Sequence, residues 1–156
     1  RAVYDPAKDL FRDSEESEHI SLVGNSFVYG FGLYRDGSTK QNILSLLDTH
    51  GIASLSFFCA FPILMGLCRD GETKRLRDAL THPDAWLRML REDATTTFEG
   101  WGKDTKWNTS LFHLTMSYAA LFLSDTDTAA LFARASAVSS PSTPILPERN
   151  FHDCFL

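Results

Sequence analysis

The apolar positions of the chain recur at helical intervals along most of its length. Residues 19–34 carry Val23, Phe27, Phe31 and Tyr34 at steps of three and four, interleaved with Gly24, Gly30 and Gly32. The spacing predicts a helix, and three glycines inside it, each costing about 1 kcal/mol relative to alanine, require close neighbours. Asp36-Gly37 reads as a turn, and Ser38 with Gln41 fits a capping box opening a second helix. That helix has a narrow stripe of Ile43, Leu44 and Leu47 and stops near His50-Gly51. Residues 53–68 are apolar in every direction, through Leu55, Phe57, Phe58, Phe61, Ile63, Leu64 and Leu67, which predicts a helix buried on all sides. Lys74 to Leu80 is amphipathic. Pro83 suits a helix N1 position, followed by the face of Trp86, Leu87 and Leu90.

The helical signal lapses over residues 93–107, where three consecutive threonines and two glycines are poor helix formers. It resumes as a ladder of Leu111, Leu114, Thr115, Tyr118, Leu121 and Phe122, with His113 near its start. Ser124 to Asp127 caps a last helix through Ala135, and Ser, Pro and Thr dominate residues 136–156. The expectation is an all-α domain over 1–135, about six helices in sequential hairpins with one irregular loop, followed by an extended tail.

Composition narrows the function classes. The 156 residues make one domain or part of a larger one. Fifteen Lys and Arg against twenty Asp and Glu, a net charge of -5, lack the basic footprint that nucleic-acid binding needs. The longest apolar run is short and broken by Pro62 and Gly66, so no membrane span is expected. Cys59, Cys68 and Cys154 form no CxxC pair, which indicates neither a disulfide framework nor a metal site, and nothing implies a cofactor. Cys59 and Cys68 fall on opposite sides of a helix and read as buried free thiols.

Irregular loops on a regular scaffold are the usual seat of function. In the 93–107 loop Glu99 lies between Phe98 and Trp101, beside Gly100 and Gly102, with Trp107 further on. The pattern looks like a carbohydrate subsite, with indole faces to stack on sugars and apolar rings to raise a carboxylate's pKa. The alternative is structural: a capping carboxylate, tryptophans as core anchors, and His113, His19 and Asn25 as hydrogen-bonded framework. Asn108-Thr109-Ser110 matches a glycosylation sequon, and a glycan there would obstruct a sugar site.

Three phrases together resemble one family. "WLRMLREDA" followed by "TTTFEGWGKDTKWNTSLFH" is similar to the late segment of bacterial and fungal α-L-rhamnosidases. In that family a Thr-Thr-aromatic-Glu sequence closes one helical hairpin and a Ser-Leu-x-His sequence opens the next. "LFRDSEESEHISLVGNSFVYGFGL" resembles the earlier stretch where a Ser-x-His-x-Ser-Leu phrase leads into a small-residue helix. "GIASLSFFCAFPILMGLCRDG" resembles the hairpin between them, and the three cover residues 10–124 in matching order.

The resemblance implies part of an (α/α)6 toroid that hydrolyses α-L-rhamnosides with inversion. Glu99 matches the family's general base and His113 a histidine that contacts the bound sugar. Trp101 and Trp107 are implied as subsite walls. The family's Asp-Cys-Pro-x-Arg-Asp-Glu segment, which carries the general acid, has no counterpart here, and Val23-Gly24 stands where His-Ala is usual. The chain, opening on Arg1, is therefore expected to be the late half-toroid of a longer polypeptide, inactive alone. The alternative is a non-catalytic helical module for carbohydrate binding or self-assembly. In either case the apolar 19–34 and 53–68 helices are expected to drive self-association.

Overall fold

The computed structural model describes residues 3–123. The expected helix through Ala135, the 136–156 tail and Cys154 lie outside the described residues.

The fold is all-α apart from one small hairpin. Strands β1 (Tyr4–Asp5) and β2 (Leu10–Phe11) pair antiparallel, Tyr4 opposite Phe11. Six α-helices follow: α1 (Leu22–Gly30), α2 (Gly37–His50), α3 (Phe57–Arg69), α4 (Thr73–Leu80), α5 (Trp86–Arg91) and α6 (Ala119–Leu123). Short 3-10 turns at Ile52–Ser54 and Leu114–Tyr118 precede α3 and α6. Among the described residues, no helix is long and apolar enough to cross a membrane.

The first helix is shorter than its apolar pattern. Ser21 caps it by accepting a hydrogen bond from the Gly24 amide at 3.2 Å. At the other end Gly32 takes a positive φ of 66°, which glycine adopts without a Cβ clash. There the Leu33 amide donates back to the Val28 carbonyl at 2.8 Å and the Gly32 amide to Tyr29 at 3.1 Å. This pair of bonds is a Schellman motif, so Gly32 ends the helix rather than lying inside it.

The second helix is capped by Asp36, not Ser38. The Asp36 carboxylate accepts from the Ser38 amide at 3.0 Å and the Thr39 amide at 3.1 Å, and the Ser38 hydroxyl donates instead to Asp9 at 2.5 Å. A carboxylate near the positive end of the helix dipole is the stronger cap. Pro83 lies in the turn before α5, not in its first helical position.

Packing is centred on α1 against α3, with α2 and α4 flanking that pair. A β-carbon on Gly30 would strike Pro62, and one on Gly66 would strike the Tyr29 ring. The small residues thus meet the close neighbours that their helix cost requires. Arg69, the last residue of α3, donates to the final α1 carbonyls, Gly30 at 2.9 Å and Tyr29 at 3.1 Å.

The third helix is not buried on all sides as its composition suggests. Ile63, Leu64 and Leu67 are fully enclosed, whereas Phe58 is 76% exposed. Cys68 is buried and Cys59 half-buried, both as free thiols.

Candidate functional site

Residues 92–113 contain no regular helix, in keeping with the lapse in the pattern. Two backbone bonds close this stretch into a noose. The Glu99 amide donates to the Ser110 carbonyl at 2.8 Å, and the His113 amide to the Thr97 carbonyl at 2.7 Å. The Thr97 hydroxyl returns a bond to the His113 carbonyl at 2.7 Å.

Those bonds also explain why the helix expected from Leu111 does not start there. The Ser110 carbonyl, which such a helix would offer to the Leu114 amide, accepts from Glu99, His113 has non-helical backbone angles, and α-helix begins only at Ala119. Leu111, Phe112 and Leu114 are exposed as a result, and Met116 is buried instead.

The noose holds Glu99 at its neck. Lys106 Nζ lies 2.6 Å from Glu99 Oε1, and the Ser110 amide donates to Oε2 at 3.1 Å. Lys106 is itself placed by a turn in which its amide donates to Thr109 Oγ1 at 2.9 Å. The Glu99 side chain keeps 30% of its surface exposed.

The electrostatics reverse one expectation. The pKa of Glu99 is held below the ordinary carboxylate value, first by Lys106, then by the Ser110 amide, with a smaller contribution from His113. The flanking rings do not enclose it. Phe98 is buried, and Trp101 packs 4.3 Å from Phe57 and 4.8 Å from Trp86, centroid to centroid. With no apolar wall around it and an ammonium in contact, Glu99 is ionised at neutral pH.

Of the four residues singled out in the sequence, the structure brings Glu99 and His113 together. His113 is half-buried where the noose closes. Trp101 is placed in the core, where its Nε1 donates to the Leu55 carbonyl at 2.6 Å. It ties the loop to the entrance of α3, beside Tyr118, whose hydroxyl donates to Phe57 at 2.5 Å. Trp107 is 96% exposed on the loop surface.

The sequence reading missed the residues that fix the loop from behind. Glu92, at the end of α5, accepts from the Lys103 amide at 2.7 Å and pairs with Arg88 at 2.7 Å. Arg88 also contacts Asp104 and lies beneath Gly102. The four-residue spacing of Arg88 and Glu92 was the available signal, since it matches a helical ion pair.

Among the described residues no group of His, Cys, Asp and Glu could hold a metal ion. A recess of about 180 Å³, away from Glu99, lies between α2 and α4, lined by Asp48, Arg75, Asp78 and His82, where Arg75 and Asp48 pair at 2.9 Å. Comparison with protein-family models, with curated proteins and with solved structures finds no match to this chain.

Proposed function

We propose that the chain is the late half of a six-hairpin glycosidase toroid resembling that of the inverting α-L-rhamnosidases. In this reading Glu99 is the general base and His113 contacts the bound sugar. One observation carries it: an ionised, partly exposed carboxylate braced at the neck of the irregular 92–113 loop, with His113 among the charges that act on it.

Inversion needs a base that removes a proton from water while that water's oxygen attacks the anomeric carbon, and an acid that protonates the leaving oxygen. Glu99 is ionised, as a base must be, and the Lys106 contact that keeps it so also lowers its basicity, so the role rests on its place in the loop. The acid belongs to another part of the longer polypeptide, and the 156-residue chain alone is expected to be inactive.

The test on this chain is a nuclear magnetic resonance titration with L-rhamnose, with D-glucose as the comparison sugar. The proposal expects rhamnose shifts confined to Thr97, Glu99, Ser110, His113 and their neighbours. Equal response to both sugars, or shifts elsewhere, contradicts it.

A second reading, a non-catalytic self-assembly module, is favoured by a separate observation. Val23 and Phe27 on α1 and Phe31 just past its end are exposed, as are Phe58 and Leu33. Sedimentation at micromolar concentration tests the assembly itself: a 17.5 kDa species contradicts this reading, whereas a larger mass is expected of the half-toroid as well.

A further inference from the structure

The two oxygens of Glu99 are held by chemically different donors. Oε1 is 2.6 Å from the Lys106 ammonium, a charge-assisted contact, while Oε2 accepts one neutral backbone N–H from Ser110 at 3.1 Å. Each oxygen has two lone pairs and accepts one of these contacts, so the two differ in the charge of the donor and not in the number of lone pairs left. The positive charge on Lys106 withdraws basicity from Oε1 more than from Oε2. The Lys106 backbone from which that ammonium extends is fixed in a turn, because Thr109 Oγ1 accepts from its amide and donates to its carbonyl, both at 2.9 Å.

We propose that Lys106 is the positioning residue of this site, pinning Oε1 so that Oε2 is the oxygen that faces sugar and water. The inference rests on the sugar-site reading above and adds a residue that neither the family resemblance nor the loop pattern singled out. Lys106 acts through Glu99 and touches no substrate itself. Its consequence is an ordered carboxylate whose pKa lies below the ordinary value, with one oxygen available to take a proton.

Two variants of the full chain separate charge from shape. Lys106→Gln removes the ammonium, and Lys106→Arg restores a cation that can reach the same oxygen. Lys106 is 46% exposed on a surface loop, so both variants are expected to fold, which the amide spectrum verifies. The Glu99 carboxylate carbon is followed by nuclear magnetic resonance as a function of pH, and L-rhamnose affinity is measured across the same range.

In Lys106→Gln the Glu99 midpoint should move up, and affinity for L-rhamnose in the acid range should fall by about two- to fivefold. In Lys106→Arg both should return toward wild type. A Glu99 midpoint unmoved by Lys106→Gln, with rhamnose binding intact, overturns the role of Lys106 and leaves the sugar site standing. A midpoint that moves in a chain that binds no rhamnose at any pH overturns the sugar-site reading, and the positioning role with it. A rhamnose affinity whose pH dependence is the same in both variants also overturns the role, leaving an ordinary surface ion pair.

Discussion

The ring of Tyr29 occupies the space into which any side chain on Gly66 would project. Tyr29 is fully buried on α1 and Gly66 lies in α3, so the contact sets how closely the two central helices approach. The same crossing is fixed from the other side by Gly30 against Pro62 and at its end by Arg69.

Gly66→Ala should therefore destabilise the chain even though alanine is the better helix former. Overpacking of this kind costs about 1–3 kcal/mol. Gly37→Ala, at a helical position with open space around it, is the comparison and should stay within about 0.5 kcal/mol of wild type. Urea unfolding of both variants checks the difference, and equal stability would show that α1 and α3 are not in close contact.

Asn25 should prove a framework residue. Its side chain accepts from the Phe11 amide at 3.1 Å and donates to the Phe11 and Ser21 carbonyls, both at 2.8 Å, so it joins β2 to α1 while fully buried. Asn25→Ala leaves those backbone groups unpaired and should cost about 2–3 kcal/mol. Faster hydrogen exchange at the Phe11 amide, ahead of exchange in α3, is the local signature.

Legibility in the sequence followed element length and the partners of the backbone. The all-α class and the helices around Ile43 and Leu76 follow from periodicity, because each spans at least two turns with one consistent face, whereas the helix around Leu64 follows from its long apolar run. The strands at Tyr4–Asp5 and Leu10–Phe11 have two residues each, too few for any alternation to register. The ladder from Leu111 misled because its spacing is helical while the Ser110 carbonyl at its start accepts from Glu99, eleven residues away. Periodicity reports side-chain faces and is blind to such a distant donor. At the site, the irregular loop and Glu99 were legible, but the direction of the Glu99 pKa shift was not. It depends on Lys106 folding back across seven residues, and on Trp101 turning into the core.

Acid should destabilise the chain. Several carboxylates are held below their ordinary values: Asp9 by the Ser38 and Thr39 hydroxyls, Asp36 by the Thr39 amide, Asp48 by Arg75 and Glu99 by Lys106. A folded-state pKa below the unfolded one means that the unfolded chain binds more protons as the pH falls. The associated stability is complete above the ordinary carboxylate range, about pH 5, and is lost as the pH drops through the depressed values. Thermal unfolding from pH 7 to pH 3 should show a Tm that is level and then falls. A Tm that rises on acidification would contradict these assignments.

Glu92 should matter to the loop. It accepts from the Lys103 amide and pairs with Arg88, which also reaches Asp104, so it is not the silent position that its place in a charged helix end suggests. Glu92→Ala should speed hydrogen exchange at Lys103 and raise mobility across residues 102–105, with α1 and α3 unaffected. Unchanged exchange at Lys103 would remove the strut from the account of the loop.

Glu99 as a general base is tested most directly by turnover of an aryl α-L-rhamnoside by the longer polypeptide proposed to carry this segment. Asp78→Ala, which alters only an exposed ion pair with Lys74 on α4, serves as the control and should leave turnover unchanged. Glu99→Ala should lower turnover by about 10²–10⁴-fold, with a much smaller change in substrate binding. Turnover of Glu99→Ala within about threefold of wild type would contradict the assignment and leave Glu99 as the structural carboxylate that closes the loop.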